Sequence, residues 1–122
     1  MNTKNEASAV AYYQAMGNKN ISVMEPYLHP DVRFIGPMAD FTGKEALLNA
    51  VKHFMNIFDK LTIRFHASSG EQVMLAYNLD CPEPLGIIRG AVLLTFSDGL
   101  ITTCELFYDA RPFETKRDEI FS

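Results

Sequence analysis

The segment Gly86 to Phe96 constrains this chain more than any other, because it is apolar on both faces. Ile87, Ala91 and Leu93 share one parity, and Ile88, Val92, Leu94 and Phe96 share the other. An antiparallel strand with one wet face alternates polar and apolar residues, so both faces of this strand are expected to be covered. Its neighbours are strands too. Leu61 to Ala67 and Val73 to Leu79 precede it, and Ser97-Asp98-Gly99 is a tight-hairpin signal leading into a last strand, Leu100 to Ala110. Cys81-Pro82-Glu83-Pro84 reads as a loop, since two prolines withhold ladder hydrogen bonds.

The front half reads as helices. Thr3 and Glu6 have capping-box spacing, and Ala9, Tyr12, Tyr13 and Met16 recur at helical intervals up to Gly17, a residue suited to a C-terminal cap. Asn20 is placed to cap a short second helix carrying Ile21, Met24 and Leu28, which His29-Pro30 ends. Asp31 to Gly36 is a short strand. Thr42 and Glu45 form a second capping box. The helix after it sets Leu47, Val51, Phe54 and Phe58 on one stripe and Asn49, His53, Asn56 and Lys60 on the other. Helices followed by a strand meander predict an α+β fold: a curved antiparallel sheet with three helices on its concave face. Those helices cover one face only. The convex face is therefore expected to meet a second copy, giving a homodimer, because an apolar patch of that size is otherwise a liability.

Charge and composition exclude several functions. A chain of 122 residues, 48% hydrophobic, suits one domain, assigned to residues 1–113, with 114–122 as a polar tail. The net charge is −4, and no lysine or arginine stripe offers a nucleic acid or an anionic membrane surface a footing. There is no continuous apolar span and no leader-like start, so a cytoplasmic protein with reduced thiols is expected. Cys81 and Cys104 are too few for a disulfide framework. His29, His53 and His66 lack ligand spacing, so no metal is expected, and no glycine-rich phosphate loop or other cofactor motif is present.

A few residues are candidates for chemistry. Arg89, by parity with Ile87, Ala91 and Leu93, is expected on the pocket side, where it either grips a ligand carboxylate or pairs with Asp80. Cys104, Leu106 and Tyr108 share a strand face read as pocket-lining. Tyr108 and Tyr12 are either hydrogen-bond donors to a ligand oxygen or core aromatics. Glu105 and Asp109 fall on the opposite face. His66 lies on the polar side of its strand and is a general base only if that face lines the cavity.

Tyr27-Leu28-His29-Pro30-Asp31-Val32, Phe41-Thr42-Gly43-Lys44-Glu45-Ala46 and Ser97-Asp98-Gly99-Leu100-Ile101 leading to Leu106-Phe107-Tyr108-Asp109 occur in this order. On these segments, across roughly residues 5 to 113, the chain resembles the SnoaL-like branch of the nuclear-transport-factor-2-like superfamily. The resemblance implies a cone-shaped fold with a pocket between sheet and helices, often dimeric, and no single activity. Ketosteroid isomerases of this fold use an aspartate base with a tyrosine and a protonated aspartate around the enolate oxygen. Carried over, the tyrosine falls on Tyr12, the base on Gly36 and the second acid on Ala91, so two of the three roles are empty. Asp40, in the loop beyond Gly36, is the replacement base if Pro37, Met38 and Phe41 raise its pKa. Two readings stand beside each other. One is a cofactor-free acid–base enzyme of isomerase, dehydratase or cyclase type, acting on a small apolar oxygen-bearing molecule. The other is a non-catalytic dimeric module for a small hydrophobic ligand or a protein partner.

Overall fold

A computed structural model describes residues 3–116 and 119–120 of the chain. Helix α1 (Thr3–Gly17) is followed by the one-turn helix α2 (Ile21–Met24), strand β1 (Leu28–Ile35), the short β2 (Asp40–Thr42) and helix α3 (Lys44–Phe54). Four long strands follow: β3 (Lys60–Ser69), β4 (Gln72–Asp80), β5 (Ile87–Ser97) and β6 (Leu100–Tyr108). The sheet has six strands in the order β2-β1-β6-β5-β4-β3. It is mixed rather than wholly antiparallel, because β1 runs parallel to β6 while the other neighbours are antiparallel. The fold is α+β with a curved sheet, as the element order predicts.

Local chemistry explains most boundaries. The Asn20 side chain accepts from the Val23 N–H and starts α2. At Pro26 that helix gives way to a 3₁₀ turn, Glu25–Tyr27, which frees Leu28 to open β1 earlier than its proline suggests. Asp98 and Gly99 both have positive φ, 52° and 80°, the geometry of the two-residue hairpin expected between β5 and β6.

The second expected capping box does not form, and Glu6 of the first bonds elsewhere. The side chain of Thr3 lies outside the described residues, and the Glu6 carboxylate is taken up by Ser68 and His66 of β3. Helix α3 starts from Gly43 at φ 124° with no side-chain cap, a backbone conformation that suits glycine. Gly17 is not the left-handed residue after α1; Lys19 is, at φ 59°. Gly17 instead lets the helix approach β3, where an added Cβ would sit 3.3 Å from the Leu61 side chain.

The core lies between the sheet and the helices. Val73, Leu75, Tyr77 and Leu79 of β4 and Ile88, Val92, Leu94 and Phe96 of β5 are buried against it. The parity assigned to Arg89 is thereby corrected: it shares the outer face with Ile87, Ala91 and Leu93, is exposed, and stands opposite Asn78 rather than Asp80. Residues Arg111–Lys116 form 3₁₀ turns; Phe113, at the end of the expected domain, is 1% exposed, and Ile120, within the stretch read as a tail, is 4% exposed, both packed into the core. Residues 117, 118, 121 and 122 of that expected tail lie outside the described residues.

Candidate functional site

An apolar cavity lies between sheet and helices. Helix α1 supplies Tyr12, Tyr13 and Met16 to its wall, and α3 supplies Leu47, Val51 and Phe54. Tyr77 enters from β4, and Cys104, Leu106 and Tyr108 from β6. Phe34, Ala50, Phe113 and Ile120 complete the lining, with Phe113 edge-on to Tyr108 at 5.7 Å between ring centres. The cavity volume is about 60 Å³, room for roughly four water molecules.

Its polar groups are four phenols and one thiol. Tyr12 and Tyr13 are 2% and 3% exposed, Tyr77 4%. The Tyr13 and Tyr77 hydroxyls are hydrogen-bonded to each other, with ring centres 5.2 Å apart. Burial pushes every one of these phenols above the ordinary tyrosine value, Tyr12 and Tyr13 well above it, and Tyr77 and Tyr108 as well. Burial likewise pushes the Cys104 thiol up to about 12. All five groups are therefore protonated at neutral pH and act as donors rather than bases. Among the described residues lining the cavity there is no carboxylate, imidazole, ammonium or guanidinium.

Tyr77 is admitted by a gap in its neighbour. Gly90 lies opposite it on β5, and a Cβ there would come within 2.9 Å of the Tyr77 ring. Glycine in an otherwise apolar strand marks such a close approach, and this is the one signal in the sequence that points to Tyr77.

The expected site residues divide. Tyr12, Cys104, Leu106 and Tyr108 meet in the cavity. Asp40 does not: it is exposed on β2, bonded to Arg33 at 2.9 Å, and that bond holds its carboxyl below the usual range rather than above it. Arg89 is on the outer face. His66 reaches the helix side of β3, because a bulge between Ile63 and Phe65 reverses the parity of the strand beyond it. There it bonds Glu6 at the surface, apart from the cavity. Glu105 and Asp109 stay out of the cavity as expected, Asp109 held at about 2 by Arg111. Tyr13, Tyr77, Phe113 and Ile120 are cavity residues that the sequence reading does not single out.

Comparison with known proteins gives a consistent result. The family model of the SnoaL-like domain matches residues 9–104. No curated protein matches the chain. Among solved structures, an NTF2-like protein of unknown function from Cytophaga hutchinsonii superposes with a TM-score of 0.78 at 21% identity, over 89% of this chain and 93% of the other. A steroid delta-isomerase from Pseudomonas aeruginosa superposes with a TM-score of 0.75 at 19% identity, over 96% and 85% of the two chains. TerC, co-crystallised with polyporic acid, gives 0.78 at 18% identity, over 94% and 98%. At these identities the likeness is one of fold. Among the described residues, no helix is long and apolar enough to cross a membrane.

Proposed function

This chain belongs to the SnoaL-like family, and from that premise we propose that it is a binding module for a small, flat, mostly apolar molecule with an oxygen acceptor. The observation that carries this reading is the cavity's inventory: four neutral phenols, one neutral thiol and no charged side chain among its described lining residues. An apolar wall with a few fixed donors selects shape and one acceptor oxygen. A ligand carboxylate or ammonium would be stranded there without a counter-charge. TerC, which shares the fold, is co-crystallised with polyporic acid, in keeping with an oxygenated aromatic guest.

The enzymatic reading keeps one supporting observation. Tyr12 and Tyr108 meet in one apolar cavity, and neutral phenols there stabilise negative charge developing on a carbonyl oxygen. It lacks the base, since Asp40 is paired with Arg33 outside.

The test is a calorimetric titration with three compounds on one skeleton: 2-acetylnaphthalene, 2-naphthoate and 2-naphthylmethylamine. The ketone is expected to bind at least about tenfold more tightly than either charged congener. Tighter binding of the naphthoate would sink the reading. Enzyme-dependent loss of deuterium from the trideuteroacetyl ketone, above the buffer rate, would favour the enzyme instead.

A further inference from the structure

Strand β3 is an edge of the sheet, and α1 lies along it. Glu6 meets His66 and Ser68 near one end, and Gly17 meets Leu61 near the other. Between these ends runs an open groove of about 420 Å³ that shares no lining residue with the tyrosine cavity. Val10, Ile63 and Phe65 give it an apolar lining, and Gln14, Arg64 and His66 a polar one. Val10 and Gln14 follow Glu6 on the same stripe of the helix, at intervals of four residues.

The bulge in β3 makes this grouping. Arg64 is the extra residue between Ile63, which pairs with Tyr77, and Phe65, which pairs with Ala76. It sets His66 and Ser68 toward α1, where one oxygen of Glu6 bonds His66 Nδ1 at 2.5 Å and the other accepts from the Ser68 hydroxyl at 2.8 Å. The imidazole is thereby held, and Nε2 is its remaining polar atom. Bulges recur beside functional sites because they re-aim side chains in this way. Charge then indicates what the groove takes. Among the described residues, Arg33 and Arg111 each grip a carboxylate, at 2.9 and 2.7 Å, whereas Arg64 has no such partner. No acidic side chain lines the groove among its described residues, and Glu6 beside it is engaged through both oxygens.

A free guanidinium near a held imidazole matches a phosphoryl group. Arginine takes phosphate oxygens in a fork. A phosphate monoester also carries a proton that leaves near about pH 6. It can therefore donate to Nε2 of a neutral ring or accept from Nε2–H of a charged one. A carboxylate can do only the second. We propose that the groove between α1 and β3 binds a small aryl phosphate monoester, with Arg64 and His66 on the phosphoryl group and the aryl ring against Val10, Ile63 and Phe65. The site stands independently of what the cavity holds.

The test follows the His66 ring by NMR as phenyl phosphate is added to the full chain near neutral pH. Binding is expected with a Kd on the order of 1 mM, and benzoate at least about tenfold weaker. Arg64→Gln is expected to weaken the phosphate by about tenfold or more, and His66→Ala by about threefold or more. Arg89→Gln removes another unpaired guanidinium, on the outer face, and is expected to stay within about twofold of wild type. No binding at about 10 mM phenyl phosphate overturns the site. Equal losses from Arg64→Gln and Arg89→Gln overturn it as well, because attraction to bulk charge then accounts for the binding. Benzoate bound as tightly as phenyl phosphate overturns the phosphoryl assignment. Displacement of phenyl phosphate by 2-acetylnaphthalene would put the ligand in the cavity and overturn the groove.

Discussion

Gly90 and Tyr77 face each other across β4 and β5, and the missing side chain of one makes room for the ring of the other. A methyl at position 90 would meet ring carbons and the hydroxyl at 2.9–3.0 Å. Both strands are central, so neither backbone gives way easily. Gly90→Ala is expected to destabilise the fold by about 1–3 kcal/mol, measured by urea unfolding, and to weaken ligand binding by shifting the Tyr77 hydroxyl. If stability is unchanged, Tyr77 has another rotamer available and the gap is incidental. At this scale the sequence is legible in part. Cys104, Leu106 and Tyr108 line the cavity as read, but through two offsetting departures: the buried parity of β5 is the opposite of the one read, and a bulge between Thr95 and Phe96 shifts β6 by one, setting Cys104 opposite the buried Leu94. Arg89 was misplaced because a strand apolar on both faces carries no parity signal. Asp40 was misjudged because its partner, Arg33, lies on the strand that pairs with its own, and such a bidentate contact is set by register.

Elements are tied together by contacts that local periodicity does not reveal. The bulge at Arg64 turns His66 and Ser68 toward α1, where both bond Glu6 at 2.5 and 2.8 Å. Bonds from Ser68 first, and from His66, hold the Glu6 carboxyl below its ordinary value of 4.5. A carboxylate depressed in the folded state adds stability above its unfolded value and loses it as pH falls through the folded one. Wild type is thus expected to be more stable than Glu6→Gln at about pH 6, with the difference shrinking as pH falls below the ordinary carboxylate range. A gap that is constant over this range would show that ionisation of Glu6 plays no part. The C-terminal turns are the second such tie. Phe113 packs against Tyr108 and Phe54, with ring centres 5.7 and 6.2 Å away. Phe113→Ala is expected to cost about 3–5 kcal/mol in unfolding, while enlarging the cavity and strengthening its uptake of an apolar dye. Loss of stability with no gain in uptake would mean the cavity collapses. Neither tie could be read in advance: Phe113 and Ile120 stand in a polar stretch, isolated from any helical or strand period.

For the molecule as a whole, element order and family were legible because helix and strand periods occupy separate halves of the chain and one hairpin fixes the longest strands. The parallel pairing of β1 with β6 was not, since it joins residues some seventy positions apart in the sequence, Leu28 with Ile101 and Arg33 with Thr103. The cavity could be expected from the fold, but its contents depend on which tyrosines three separate elements bring together. That convergence has an optical consequence. The chain has five tyrosines and no tryptophan, and Tyr12, Tyr13, Tyr77 and Tyr108 all line the cavity. Its near-ultraviolet absorption and emission therefore come mostly from the cavity wall. Any guest that enters must sit among the chromophores themselves, so the unlabelled protein carries its own occupancy gauge.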